Sequence, residues 1–340
     1  MPRGHNLRVL LGFATIYLVW GSTYLAIRLG VETIPAFLMA SVRFVIGGAP
    51  FYAWARFRGA ANPRLSHLWP MTAVGLLLVV GGNGLVTLAE ETVPSGIAAL
   101  LVAMVPFWIV MADWLSPGGK RPVRNVLIGL VIGFLGVGLL INPTEIGGLA
   151  EINILGALTI ALATILWASG SIYSRHARAP ESQIMAVSIQ MFTGGIALLL
   201  LSLLRGETDS FSLSEVTTLS ALSLVYLATI GSFAFGVYMW LLKASTPSKV
   251  ATYAYVNPVI ALFLGSMIAD EAISPWTIGC SIIVLLGVFM IVRARSRSGD
   301  APARDTIQRL TLKEQAPMRG LQMAACGEEP CACSQEEKAL

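Results

Sequence analysis

Long apolar runs separated by short polar stretches set the rhythm of this chain. Runs of about 20 residues fall at roughly 9–28, 36–55, 69–89, 94–115, 123–142, 153–174, 183–204, 219–242, 248–269 and 274–292. A helix rising 1.5 Å per residue needs about 20 residues to cross a ~30 Å hydrocarbon core. The ten-residue alternation that barrel strands would show is absent. The pattern therefore predicts an all-α polytopic membrane protein with ten transmembrane helices. Gly and Pro interrupt several runs, as in Val79-Val80-Gly81-Gly82-Asn83-Gly84. Between packed membrane helices such residues allow close backbone approach.

Composition agrees. Of the 340 residues 55% are hydrophobic and only 12% charged, with a mean hydropathy of +0.73. A soluble domain carries about 25% charged residues. The net charge of +4 and pI near 9.0 raise the question of nucleic acid, but the positions of the charges answer it. All Lys and Arg except Arg28, Arg43 and Arg205 fall on alternate loops and the two ends of the chain. The opposite loops hold Glu32, Glu90, Glu91, Glu145, Glu151, Glu207, Asp209, Glu215, Asp270 and Glu271. This positive-inside alternation implies an even number of spans, both termini cytoplasmic, and no nucleic-acid partner. The first run continues through Trp20 and Tyr24 without a cleavage site, so it reads as a retained span rather than a signal peptide.

The chain also repeats itself. Ile165-Leu166-Trp167-Ala168-Ser169 echoes Leu18-Val19-Trp20-Gly21-Ser22 at an offset of 147, and each Trp has an Arg eight residues on, Arg28 and Arg175. Ser188 to Gly195 echoes Ser41 to Gly48 at the same offset. Pro94-Ser95 and Pro106 are echoed by Pro247-Ser248 and Pro258. Two five-span halves, 1–147 and 148–293, must then cross in opposite senses. That is an inverted-topology 5+5 repeat, an architecture suited to alternating access. Residues 294–340 read as a polar cytoplasmic tail, disordered by composition.

The ten-span plan, Val19-Trp20-Gly21-Ser22-Thr23-Tyr24, Arg43-Phe44, Asn83-Gly84, Pro94-Ser95-Gly96-Ile97-Ala98-Ala99 and Ser248-Lys249-Val250-Ala251 through Asn257-Pro258 resemble EamA-type members of the drug/metabolite transporter superfamily, in particular the YedA-like branch of bacterial inner-membrane transporters. The resemblance covers about residues 8–292. It implies helices of both halves around a central cavity, and export of small metabolites, amino acids or drugs.

Candidate solute-binding residues follow from what is costly inside a membrane. Arg43 is the only intramembrane basic residue, about 10 Å below the outer end of its span at 1.5 Å per residue. It can hold a solute carboxylate or phosphate, or it can brace the fold by pairing with Glu90 or Glu91. Asn83 lies at the same depth, and Gln190 stands at the position equivalent to Arg43. Trp20, Tyr24, Trp167, Tyr253 and Tyr255 lie away from the interfacial belts that explain Trp69, Trp114 and Trp276. They either line a cavity or simply pack. Pro106 and Pro258 each remove a helix hydrogen bond and are candidate hinges, with Asn257 a ready donor to a freed carbonyl. Glu90 is the candidate coupling group. No carboxylate falls at mid-membrane, so a facilitator or exchanger is expected over a proton-coupled pump.

Cys326, Cys331 and Cys333 form a Cys-x4-Cys-x-Cys cluster without a fourth ligand. No metal site or cofactor is expected, and Cys280 reads as a core residue. The isolated His5, His67 and His176 and the lack of any catalytic motif argue against an enzyme. The alternative is a flippase or enzyme acting on a lipid-linked substrate. The expected partners are a small-molecule solute and membrane lipids, with a functional monomer and a homodimer as the other arrangement.

Overall fold

A computed structural model describes residues 3–115, 121–141, 153–209, 211–245, 247–271 and 273–297. Among them there is no strand. The helices are α1 Arg3–Val31, α2 Ala36–Phe57, α3 Leu65–Gly75, α4 Leu85–Ala89, α5 Ser95–Val102, α6 Val105–Leu115, α7 Arg124–Ile141, α8 Ile154–His176, α9 Gln183–Leu204, α10 Thr218–Tyr226, α11 Ser232–Ala244, α12 Pro247–Val250, α13 Tyr253–Ile268 and α14 Pro275–Arg297. A π-helical stretch, Leu76–Gly84, joins α3 to α4, and another, Leu227–Gly231, joins α10 to α11.

Seven helical stretches among the described residues are long and apolar enough to cross a membrane, and three shorter apolar helices accompany them. Their outer faces are apolar: Leu18, Phe57, Leu200 and Phe263 are all more than half exposed. In water such a surface would be an aggregation hazard; against lipid it is the expected face.

Several helices differ from the expected runs. The first extends past its apolar run at both ends, because polar residues remain helical beyond the hydrocarbon. The run expected at 69–89 changes to π geometry over its glycines. The run at 94–115 is two helices broken at Ala103 and Met104, and Pro106 falls in the first turn of α6. There its missing N–H costs no helix bond. The run at 248–269 is broken at Ala251 and Thr252, and Pro258 lies inside α13.

The longest packed pairs are α2 with α9 and α7 with α14. In the second pair the backbones nearly touch: a Cβ on Gly287 would sit 2.5 Å from the backbone nitrogen of Gly133. A core of Trp20, Phe44, Trp167, Phe235, Tyr238 and Tyr253 holds helices from both halves of the chain together. The tail cysteines and residues 142–152, with Glu145 and Glu151, lie outside the described residues.

Candidate functional site

On α1, Trp20, Thr23, Tyr24 and Ile27 follow the i, i+3, i+4, i+7 spacing of one helix face. That face meets Arg43 from α2, Gly82, Asn83 and Val86 from the third span, Val102 and Val105 from either side of the α5–α6 break, Ala163, Thr164 and Trp167 from α8, and Tyr253 from α13. Together they line a cavity of about 60 Å³, room for a few water molecules. Both helix breaks abut it, since Tyr253 directly follows the Ala251–Thr252 turn.

An aromatic cluster forms one wall. The rings of Trp20 and Trp167 meet edge to face with centroids 5.4 Å apart, and Trp20 stands 5.1 Å from Tyr253 at 90°. Tyr238 lies behind them. Its hydroxyl accepts from Trp167 Nε1 at 3.1 Å and bonds Ser171 Oγ at 2.7 Å. These bonds satisfy the polar tips of two buried rings and fix the orientation of Trp167.

The polar groups on the wall are unequal. Thr23 Oγ1 donates to the Trp20 carbonyl at 2.9 Å, Thr164 Oγ1 to the Ala161 carbonyl at 2.6 Å, and Asn83 Nδ2 to the Leu78 carbonyl at 3.1 Å. Their helices thus occupy these donors. Arg43 is different. It is only 3% exposed, and its Nε and Nη1 have no hydrogen-bond partner among the described residues. Its guanidinium lies 4.7 Å from the Phe44 ring centroid, a partial compensation. Gly231 in the second π stretch leaves room beside it, since a Cβ there would come 3.4 Å from Arg43 Nη2.

The brace between Arg43 and Glu90 is not formed. Glu90 caps the end of α4, is fully buried, and neither carboxyl oxygen has a hydrogen-bond partner among the described residues. Arg28 Nη1 instead donates to the main-chain carbonyls of Glu90 and Glu91, at 2.8 and 3.1 Å. Burial, reinforced by the Glu271 carboxylate, pushes the Glu90 carboxyl well above the usual carboxylate range, against the pull of Arg28 and Arg43.

Of the candidates, the cavity wall gathers Trp20, Tyr24, Arg43, Asn83, Trp167 and Tyr253. Gln190 lies elsewhere in the core, donating Nε2 to Met71 Sδ at 3.4 Å. Tyr255 packs against the hydrophobic core and, like Asn257, is not part of the cavity wall. Asn257 is buried; with its amide oriented to satisfy its neighbours, the nitrogen donates to the carbonyls of Tyr253 and Tyr17, each at 3.2 Å. It therefore ties α13 to α1 rather than serving the Ala254 carbonyl freed by Pro258. Among the described residues no cluster of His, Cys, Asp or Glu could hold a metal. Thr23, Thr164 and Tyr238 are contributors beyond the candidates. The first two could have been found, since each stands three residues from a cavity Trp.

Comparison with known proteins places this geometry. A model of the EamA-like transporter family matches the chain twice, at residues 7–142 and 154–293. The chain is 38% identical over 262 residues to an uncharacterized inner membrane transporter, YedA, of Escherichia coli (strain K12), covering 76% of this chain and 82% of that one. It is 26% identical to the uncharacterized transporter YoaV of Bacillus subtilis (strain 168), over 83% of this chain and 96% of the relative. It is 24% identical to a probable amino-acid metabolite efflux pump of Salmonella typhimurium (strain LT2), over 82% and 92%. A solved crystal structure aligns with a TM-score of 0.61 at 23% identity, covering 86% of this chain and 98% of that one, which speaks to the fold alone.

Proposed function

Because this chain belongs to the EamA-like transporter family, we propose that it carries a small solute with an anionic group across the membrane, by alternating access around the Arg43 cavity. It is a multi-pass inner-membrane transporter of small metabolites, not an enzyme. The proposed frame is ten crossings in two inverted halves, 1–147 and 148–293, with both termini cytoplasmic. The double match of the family model supports the two halves, and the charge alternation supports the orientation. The proposed direction is export, with metabolites, amino acids and drug-like solutes as the candidate cargo.

The observation that carries the anion is Arg43. A buried cation without a hydrogen-bond partner costs several kcal/mol of desolvation. A solute carboxylate or phosphate would supply charge-assisted hydrogen bonds to its fork. The aromatic wall gives an apolar body somewhere to lie. The cavity of about 60 Å³ must widen to admit such a solute. The helix breaks beside Val105 and Tyr253 are where the wall can give, with Pro106 and Pro258 as hinges.

Facilitated diffusion or exchange is the primary reading. The buried, unpartnered carboxyl of Glu90 favours a second one, in which a proton travels with the anion. Proteoliposomes loaded with a panel of amino acids, carboxylates, phosphate esters and amphiphilic drugs test both. The reading predicts saturable counterflow confined to members with an anionic group. Flux of cations alone would overturn it. Uptake driven by an imposed pH gradient would favour the proton-linked form.

A further inference from the structure

The end of the bundle that holds residues 31–35, 90–94, 205–209, 211–217, 269–271 and 273–274 caps two helices in an unusual way. Helices α2 and α5 begin directly after Pro35 and Pro94, and neither is capped by a side chain at its own N-cap. Each is capped instead by a carboxylate from the other half of the chain. Glu207 accepts from the main-chain N–H of Leu38 at 3.0 Å and of Phe37 at 3.5 Å. Glu271 accepts from Ser95 N–H at 2.7 Å and Gly96 N–H at 3.2 Å. A carboxylate on exposed helix N–H groups is favoured by both the hydrogen bonds and the helix dipole.

Both glutamates directly follow a left-handed residue at the end of their helix. α9 ends with Gly206 at φ 70°, and Glu207 N–H bonds back to the Ser202 carbonyl at 3.0 Å. α13 ends with Asp270 at φ 50°, and Glu271 N–H bonds back to the Gly265 carbonyl at 3.1 Å. Gly265 clears the path of the second carboxylate: a Cβ there would lie 2.4 Å from Glu271 Oε2.

For Glu207 the repeat shows that the tie is one-sided. At the offset of 147, Gly206 corresponds to Gly59, also left-handed at φ 77°, and α2 ends there with Ala60 N–H bonded to the Ala55 carbonyl at 2.9 Å. The next position is Glu207 in one half and Ala60 in the other. The partner position is Pro35 in one half and Ser182 in the other, and Ser182 Oγ accepts from Met185 N–H at 3.3 Å, capping α9 from within its own half. So α2 borrows its cap across the halves, whereas α9 at the opposite end supplies its own.

We propose that Glu207 and Glu271 form a latch that holds the extracytoplasmic mouth of the transporter shut, and that this mouth opens only when the two carboxylates leave the N-termini of α2 and α5. This rests on the proposed topology. In an inverted repeat the two open states are related by exchanging the halves; the tie from Glu207 to α2, which the equivalent position at the other end does not reproduce, weights the two states unequally.

The test uses a cysteine at Val86, on the cavity wall, and a membrane-impermeant maleimide added outside intact cells. Combining Val86→Cys with E207Q and E271Q, which keep an acceptor oxygen but remove the charge from each helix N-terminus, is expected to speed labelling by roughly tenfold over Val86→Cys alone. Val86→Cys with Gly265→Ala, which displaces Glu271 without removing its charge, is expected to do the same in part. Adding Pro35→Ser gives α2 a cap of its own, so faster labelling that persists there reflects a lost tie and not a frayed helix. Unchanged labelling in the double Gln variant, with the thermal midpoint retained, overturns the latch. So does faster labelling that Pro35→Ser abolishes. A separate cysteine at Glu215 reports sidedness: if it labels only from the cytoplasmic face, the topology fails, and the extracytoplasmic assignment with it.

Discussion

Trp20 and Trp167 stand 147 residues apart in the chain and meet edge to face at 5.4 Å across one wall of the cavity. The same position of the repeat thus supplies the same residue from each half. Only Trp167 has its N–H bonded to Tyr238, at 3.1 Å. Trp167→Phe keeps a ring but loses that donor, and should cost about 0.5–1.5 kcal/mol. Trp167→Ala should cost about 3–5 kcal/mol. Unfolding in detergent, followed by thiol accessibility of Cys280, gives both values; equal losses would mean that the hydrogen bond, and not the ring, dominates.

Gly82 makes room for that ring in the cavity wall. A Cβ at residue 82 would lie 2.4 Å from Trp167 Cε3, so Gly82→Ala must push the indole aside. Overpacking of this kind costs about 1–3 kcal/mol. The expected result is counterflow reduced on the order of tenfold, the rate equivalent of about 1.4 kcal/mol. Gly138→Ala, where a Cβ meets nothing within 4 Å, should transport as wild type does. Equal effects at the two positions would contradict the role given to Gly82.

Glu90 makes a prediction about pH. Burial raises its folded pKa above the ordinary 4.5, so over the interval between the two values the folded state holds a proton that the unfolded state has lost. Stability therefore falls as pH rises from about 4.5 toward the folded pKa, and levels off beyond it. Glu90→Gln removes this contribution. Thermal midpoints across that range should decline less steeply in the variant than in wild type, and parallel curves would show that Glu90 does not titrate there.

Asn257 joins α13 to α1 through the Tyr17 carbonyl. Asn257→Leu removes the amide and leaves that carbonyl without its donor. The expected loss is about 1–3 kcal/mol, read from unfolding in detergent. An unchanged midpoint would mean that the tie is not formed.

Much of this was legible before any coordinates. The apolar runs anticipated the helical stretches because in lipid the backbone must satisfy itself within each helix. Arg43 and Trp20 stood out because charge and mid-span Trp are costly or unusual there. The rest depended on how helices meet. Gln190 shares Arg43's repeat position yet points to Met71, because the two halves do not supply equivalent neighbours. The glycines at 81, 82 and 84 announced close approach but not the π geometry of Leu76–Gly84. The Pro35 and Pro94 helix starts gave no sign that their caps would come from residues more than 160 positions away. Nothing local in a sequence reports a partner at that distance.

The central claim is that Arg43 holds the anionic group of the solute, and counterflow by Arg43→Gln and Arg43→Lys tests it most directly. Arg43→Gln installs the residue that the second half carries at 190. With an anionic solute that wild type transports, Arg43→Gln should lower uptake by about 10- to 100-fold, the equivalent of about 1.4–2.7 kcal/mol. Arg43→Lys should keep the charge but lose the fork and fall between. Uptake of the anion by Arg43→Gln at the wild-type rate, in a protein that unfolds at the wild-type midpoint, would contradict the account.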